Sequence, residues 1–242
     1  MATSDEVSEV RSLLDLDQEA RYQGTTVLVG AGFMPGLSCL LARHAAASLD
    51  QVDEIHVAKV GTGGPACARQ HHRALSSTAL DWRDGCWTRR PGGSGRELCW
   101  FPDPVAGRDC YRASLPDALL LVPAFPSVDR VTARMAATRR DRLTAALPML
   151  RPPHPEGGLG AIRVVVRGRI DAERRIVVFG ALDRPGVAAG AVAAVAAMHL
   201  ARSGVEPGAR GLAGLGEVGP MLRELARRGV RPARFEGFST FT

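Results

Sequence analysis

The pattern of strand, glycine turn and helix occurs twice near the start of this chain, and it most constrains the fold. The β-branched run 25–29 predicts a buried strand, and a tight turn over 30–36 leads into a helix that ends near residue 48. A second strand over 54–59 runs through another glycine turn, 61–65, into helix-compatible sequence. Two consecutive units of this kind predict an α/β domain.

The rest of the chain extends this pattern with antiparallel signals. Residues 5–21 have helical spacing, and the glycine- and proline-rich stretch 81–117 is expected to be a long functional loop containing one short strand, 97–101. Two apolar runs within 161–182 predict a hairpin, which is typical of a mixed sheet. An alanine-rich helix over 187–202 and a final helix near 217–228 complete the expected elements.

The first glycine turn has two interpretations. Strand, Gly30-x-Gly32 and helix match the outline of a dinucleotide fingerprint, in which Lys59 could contact a 2′-phosphate. Pro35 occupies the position where that pattern has glycine or alanine, and the alternation of strands and helices stops after two strands. These departures favour a structural strand-to-helix turn.

Short motifs in a consistent order resemble a known family. The segment Gly30-Ala-Gly-Phe-Met-Pro-Gly36 is similar to the G-x-G-[FL]-x-P-G segment of saccharopine-dehydrogenase-like proteins, where the chain crosses into the second domain. The strand at 52–57 followed by Gly63-Gly64-Pro65, and the hairpin and helix of 161–202, resemble later parts of the same domain. The resemblance covers about residues 10–236.

The resemblance implies a domain organisation. We expect a lead-in helix over 1–24, a remnant of a missing nucleotide domain, and a substrate and dimerisation domain over 25–242. The expected architecture is a mixed sheet with helices mainly on one face. Without the family's own nucleotide-binding core, the chain is expected to bind no nicotinamide, and NADP only if another subunit or a missing N-terminal domain supplies the site. A homodimer would cover the exposed surface.

Composition and the search for targeting segments indicate the cellular compartment and the kinds of partner. Five cysteines at irregular spacing argue against a disulfide framework, and the absence of a signal sequence predicts a cytoplasmic protein. No apolar run reaches the ~18 residues of a membrane span, so no membrane partner is expected. The net charge is +6, yet aromatic residues make up 5% of the chain, which argues against a nucleic-acid partner.

The helix behind the second glycine turn carries the candidate catalytic residues. Cys67 and His71 are four residues apart and share a helix face, and His72 follows. This spacing suits a thiol positioned by an imidazole, a polar pocket wall, or a metal if a further His, Asp or Glu joins. Because no such third ligand is evident, no metal is predicted.

Candidate substrate-binding residues lie near this helix and in the long loop. Gly63, Gly64 and Pro65 form the turn before the helix, and Arg69 lies on the helix itself. Arg96 could hold a carboxylate in bidentate fashion close to Trp100. Alternatively, the loop is a flexible lid that does not contact the substrate.

Three functions are compatible with the sequence. The first is a small-molecule enzyme that acts on an amino-acid-like or carboxylate-bearing metabolite without a bound nicotinamide. The second is a non-catalytic binding or scaffold module. The third is a fragment or partner subunit of an NADP-dependent oxidoreductase. This function rests on the family resemblance, and a shared fold does not by itself imply a shared activity.

Overall fold

The structure is a computed structural model that describes residues 1–149, 152–202 and 204–235, so the end of the expected domain, 236–242, lies outside it. The helices are α1 (Val7–Leu14), α2 (Asp17–Tyr22), α3 (Leu37–Ala46), α4 (Pro65–Ser76), α5 (Asp117–Leu121), α6 (Arg139–Thr144), α7 (Pro185–Arg202) and α8 (Gly219–Arg227). The strands are β1 (Thr26–Val29), β2 (Gln51–Val60), β3 (Thr78–Arg83), β4 (Cys86–Pro91), β5 (Glu97–Trp100), β6 (Gly107–Arg112), β7 (Arg130–Ala136), β8 (Gly160–Ile170), β9 (Glu173–Asp183), β10 (Gly208–Gly211) and β11 (Arg231–Phe235).

A nine-stranded mixed sheet forms the centre of the molecule. Its strands follow the order β11-β9-β8-β2-β7-β3-β4, and β6 pairs with β7 and carries β5. Strands β2 and β7 are parallel, whereas the pairs β2–β8, β8–β9 and β9–β11 are antiparallel. The predicted α/β class with a mixed sheet is confirmed.

The stretch expected to be a long loop is instead built from four strands. Asp84 and Gly85 form the turn between β3 and β4, and both have positive φ, as a two-residue hairpin turn requires. The expectation of an irregular 81–117 was wrong because β4 is mostly exposed and therefore lacks the apolar alternation of a buried strand. The short strand expected near 97–101 is present as β5.

The two faces of the central strands are covered by different groups of residues. Neighbouring side chains of a strand point to opposite faces, so Val57 and Ile162 join the main core beneath α3 and α5, while Ala58 and Ala161 face the other way. That second face is covered locally by residues around β5 and β6, including Phe101.

A smaller parallel pair lies beside the main sheet. Strand β1 pairs with β10, and the N-terminal segment runs along β1, where the Ala2 N–H donates to the Leu28 carbonyl. The predicted lead-in helix is divided into α1 and α2. Val10 of α1 is fully buried in the main core, so this segment packs as part of the molecule.

Helix α7 is the one described helix whose length and composition would suffice to cross a membrane. Within its eighteen-residue window, 28% of the residues are buried inside the molecule. A core helix of a soluble protein passes the same test, so this single helix is weak evidence for a membrane span.

Candidate functional site

A cavity of about 230 Å³ lies at the carboxyl end of β2, where the glycine turns and two helix starts meet. The first turn of α7 reaches the turn before α4, because the backbone nitrogen of Gly186 lies 3.7 Å from the position that a Cβ on Gly63 would occupy. The cavity wall consists of Thr3, Asp5, Gly32, Phe33, Met34, Pro35, Lys59, Gly63, Gly64, Cys67, His71, Pro185, Gly186 and Ala189.

Lys59 and His71 form a close polar pair in this wall. The Lys59 Nζ lies 2.6 Å from the His71 Nε2 and 3.3 Å from the carbonyl oxygen of Met34. Lys59 is 2% exposed and His71 is 4% exposed, so water screens this contact weakly. Among the described residues, these two partners leave one of the three ammonium donors of Lys59 without an acceptor.

Cys67 and Asp5 contact the same imidazole. The Cys67 Sγ lies 3.6 Å from His71 Nε2, because the two residues are one helical turn apart on α4. The Asp5 Oδ2 lies 3.3 Å from that nitrogen and accepts from the Cys67 thiol at 3.8 Å. Three elements that are distant in sequence, namely the N-terminal segment, β2 and α4, thus converge on one nitrogen atom.

Burial and the charge of Lys59 determine how the other three groups ionise. Burial, followed by repulsion from Lys59, lowers the pKa of His71 to about 4. Burial also raises the pKa of the Cys67 thiol, although Lys59 opposes this. Burial raises the pKa of Asp5, but the contact with His71 and the charge of Lys59 outweigh it, so the net shift is downward.

The proton of the neutral imidazole is assigned to Nδ1. Nε2 cannot both accept from Lys59 and donate to Asp5, and the 2.6 Å contact to Lys59 is shorter than the 3.3 Å contact to Asp5. We therefore assign Nε2 as the acceptor, which leaves the proton on Nδ1. His71 Nδ1 is buried without a hydrogen-bond partner in the described structure, an arrangement that costs free energy.

A buried acid behind the cavity wall, Asp117, lies close enough for the charge of Lys59 to lower its pKa. It is fully buried at the start of α5, and its Oδ1 accepts from the Ser38 hydroxyl at 2.7 Å. Its Oδ2 has no partner among the described residues. Burial raises the pKa of Asp117 to about 6, which the hydrogen bond from Ser38 and the charge of Lys59 oppose.

Replacing Asp117 by asparagine is expected to stabilise the protein at high pH. A carboxyl whose pKa rises from 3.8 to about 6 on folding contributes stability below pH 3.8, and this contribution is lost as pH rises through 6. At pH 8 the neutral amide should therefore gain about 1–2 kcal/mol, since its unpaired N–H donors offset part of the ~3 kcal/mol that the shift represents. Denaturant unfolding at pH 8 and pH 4 measures the gain, and an equal change at both values would contradict the assignment.

The structure brings together some of the residues expected from the sequence. Cys67, His71, Gly63 and Gly64 line the cavity, and Pro65 begins α4 directly behind them.

Other candidates lie elsewhere. The described part of the cavity wall does not include His72, Arg69, Arg96 or Trp100. His72 donates from Nε2 to the Leu147 carbonyl at 2.9 Å, Arg69 is exposed, and Arg96 pairs with Asp109 at 3.0 Å. Trp100 is 60% exposed, because it points away from the cluster into which its neighbours Cys99 and Phe101 pack.

Two residues of the site, Lys59 and Asp5, are not among those expected to act with Cys67 and His71, and Lys59 was considered only as a contact to a 2′-phosphate. Lys59 is the only lysine of the chain, whose other basic residues are all arginine, and it ends a strand expected to be buried. A lysine retained where arginine is otherwise used throughout is a signal that could have identified it. Asp5 carries no comparable signal, because its position depends on the path of the N-terminal segment along β1.

A known protein shares the overall fold of this chain. Apo saccharopine dehydrogenase (L-Glu forming) from Saccharomyces cerevisiae superposes with a TM-score of 0.59 at 12% identity, covering 91% of this chain and 76% of that one. The chain has a saccharopine-dehydrogenase-like fold. At 12% identity the likeness extends to the fold alone, and this fold is of the kind found in oxidoreductases.

Two further solved structures are more distant. DAP dehydrogenase from C. glutamicum, in complex with DAP, has a TM-score of 0.37 at 13% identity, covering 87% of this chain and 67% of that one. A dehydrogenase from Clostridium difficile has a TM-score of 0.22 at 10% identity, covering 75% and 49%. No family model matches the sequence, and no curated protein is similar to it in sequence.

Proposed function

We propose that this chain is a small-molecule enzyme in which Lys59, held by His71, exchanges a proton with a carboxylate-bearing, amino-acid-like metabolite. The observation that carries the proposal is the 2.6 Å contact between Lys59 Nζ and His71 Nε2 in the wall of a cavity. Buried titratable pairs in clefts are enriched at functional sites, because catalysis needs groups whose protonation differs from that in water.

The hydrogen-bond donors in the cavity wall support an anionic ligand, although the Asp5 carboxylate lies in the same wall. Lys59 supplies a positive charge, and one of its three ammonium donors has no acceptor among the described residues. The N-terminal turns of α4 and α7 both border the cavity, and Gly64 before α4 provides no side-chain cap. Unsatisfied N–H groups at the start of a helix attract anions. A carboxylate in the cavity would accept from both kinds of donor.

The pair divides the chemical roles between its two members. His71 has its pKa lowered to about 4 and is therefore a neutral hydrogen-bond acceptor at pH 7, where it fixes the position of the amine. The Lys59 ammonium is then the group that gives a proton to the ligand and later takes it back. Cys67 stands next to His71, and its raised pKa keeps it a thiol, so a thiolate nucleophile is not part of the proposal.

The size of the cavity supports a ligand without a nicotinamide. Pockets for drug-sized molecules measure roughly 300–1,000 Å³, whereas this cavity measures about 230 Å³. The parallel pair β1–β10 is also much smaller than the about six strands of a dinucleotide-binding sheet. The dehydrogenase-like fold favours a second candidate, a subunit of an NADP-dependent oxidoreductase whose nucleotide site another chain supplies.

Ligand-induced stabilisation tests the proposal. We expect at least one of acetate, lactate and L-alanine to raise the melting temperature, whereas acetamide, lactamide and L-alaninamide should have no effect. A ligand at 100 times its dissociation constant adds about 2.7 kcal/mol to stability. Lys59→Met should abolish this effect while leaving the protein folded, since it replaces a buried charge with an apolar side chain of similar length.

Matched variants and cofactors separate the alternatives. Lys59→Arg keeps the charge but not the compact ammonium, so it should not restore binding. Arg96→Met removes a guanidinium outside the cavity and should leave binding unchanged. Stabilisation by NADPH would favour the oxidoreductase subunit, and equal effects of acids and amides would contradict the carboxylate site.

The free cysteines support a cytoplasmic location, and the exposed apolar side chains support a homodimer. All five cysteines are free, which suits a reducing compartment. Val187 of α7 is 58% exposed and Ile176 of β9 is 61% exposed, so apolar side chains remain for a second copy to cover. Light scattering of the purified chain should give twice the monomer mass of 25.7 kDa, and a monomer at micromolar concentration would contradict the dimer.

A further inference from the structure

Three potential metal ligands meet in the wall of the cavity. The Cys67 Sγ, the His71 Nε2 and a carboxylate oxygen of Asp5 all lie within 4.8 Å of one another. Cys67 and His71 are fixed on one face of α4, and Asp5 immediately precedes Glu6, which caps α1. The ligands therefore come from two anchored elements, as a preformed metal site requires.

The spacing of these atoms matches the face of a tetrahedron around zinc. Bond lengths of about 2.3 Å to sulfur and about 2.0–2.1 Å to nitrogen and oxygen, at tetrahedral angles, imply edges of about 3.5, 3.5 and 3.3 Å. The observed distances are 3.6 Å for sulfur to nitrogen, 3.8 Å for sulfur to oxygen and 3.3 Å for nitrogen to oxygen. No edge needs to change by more than about 0.3 Å.

We propose that Asp5, Cys67 and His71 bind Zn²⁺, with the fourth position open to the cavity. Zinc displaces the Cys67 thiol proton, which passes to solvent. The resulting thiolate and the Asp5 carboxylate balance the charge of the metal, and one S, one N and one O ligand form a set that zinc accepts. The tautomer assigned to His71, with its proton on Nδ1, is the one that the metal needs.

Lys59 competes with the metal for the same nitrogen. Its ammonium lies 2.6 Å from His71 Nε2, so Zn²⁺ can bind that atom only when the hydrogen bond breaks. Zinc binding therefore releases Lys59 from His71 and disables the pair to which the proton exchange is assigned. This inhibition rests on the proposed function, whereas binding of the metal does not.

Metal titration of the chelator-treated full-length chain tests the site. We expect one Zn²⁺ per chain, and Co²⁺ in its place should give a thiolate-to-metal charge-transfer band. Cys67→Ser should abolish that band. Second-shell changes already cost about 10–100-fold in affinity, so Cys67→Ser and Asp5→Asn should each weaken zinc binding by about 100-fold or more.

Opposite effects of one variant separate this inference from the proposed function. Lys59→Met removes the competing ammonium and should tighten zinc binding about tenfold, although it abolishes carboxylate binding. Cys86→Ser alters an exposed cysteine outside the cluster and should leave zinc affinity unchanged. Zinc binding with wild-type affinity in Cys67→Ser, or a wild-type chain that binds no zinc at micromolar concentration, would overturn the site.

Discussion

Replacing His71 by glutamine is expected to flatten the acid limb of the protein's stability profile. The pKa of His71 falls from 6.5 to about 4 on folding, so its neutral form contributes stability above pH 6.5 that is lost as pH falls through 4. One pKa unit corresponds to about 1.4 kcal/mol, so this histidine accounts for about 3 kcal/mol of the loss between pH 7 and pH 4. Glutamine stays neutral over this range and can still accept from Lys59.

Denaturant unfolding of both proteins at several pH values measures this effect. His72→Gln is the matched control, because His72 lies on the same helix but bonds to the Leu147 carbonyl outside the cavity. It should retain the wild-type acid limb. If His71→Gln and wild type lose stability in parallel between pH 7 and pH 4, His71 is not held neutral by its surroundings.

Replacing Gly36 by alanine is expected to cost about 3 kcal/mol or more and to unfold much of the protein at 37 °C. Gly36 has a φ of 132°, and a Cβ there would lie 2.1 Å from the carbonyl oxygen of Gly32 and 2.4 Å from its nitrogen. Both obstructing atoms belong to the backbone, so no side-chain rotation relieves the clash. Because Gly32 lines the cavity, any folded fraction should also bind carboxylates weakly.

Gly24 provides the control for this substitution. Its φ is 63°, but a Cβ there meets no atom within 4 Å, so Gly24→Ala reports the cost of backbone conformation alone. That cost is about 1–2 kcal/mol. Thermal and denaturant unfolding of the two variants give the difference. Equal destabilisation would show that the close approach at Gly36 is absent.

Much of the α/β framework could be predicted from the sequence, because buried elements have strong local patterns. The hairpin of β8 and β9, the helix α7 and the strand β2 each carry long apolar or β-branched runs. The hairpin of β3 and β4 was missed, because β4 is solvated and only the Asp84–Gly85 dipeptide marks its turn. The glycine turn joins a strand, β1, to a helix, α3, as both interpretations of it require, and Gly36 in that turn has no space for a side chain.

The site was predictable only where its residues are neighbours in sequence. Cys67 and His71 could be paired because helical periodicity places them on one face. Lys59 and Asp5 could not be joined to them, because the contacts depend on β2 ending beside α4 and on the N-terminal segment passing β1. Arg96 and Trp100 were expected to bind substrate because a glycine-rich loop leads into a short strand there. They lie outside the cavity wall, where Arg96 pairs with Asp109 and Trp100 is exposed.

The side-chain amine of Lys59 is the best reporter of the Lys59–His71 pair, and the sequence makes its signal easy to measure. Lysine labelled with ¹⁵N at Nζ gives one side-chain signal, because the chain has one lysine. We predict slow hydrogen exchange at this amine, a coupling through the hydrogen bond to His71 Nε2, and a signal that moves with lactate but not with lactamide. A fast-exchanging amine without that coupling, unaffected by lactate, would contradict the account.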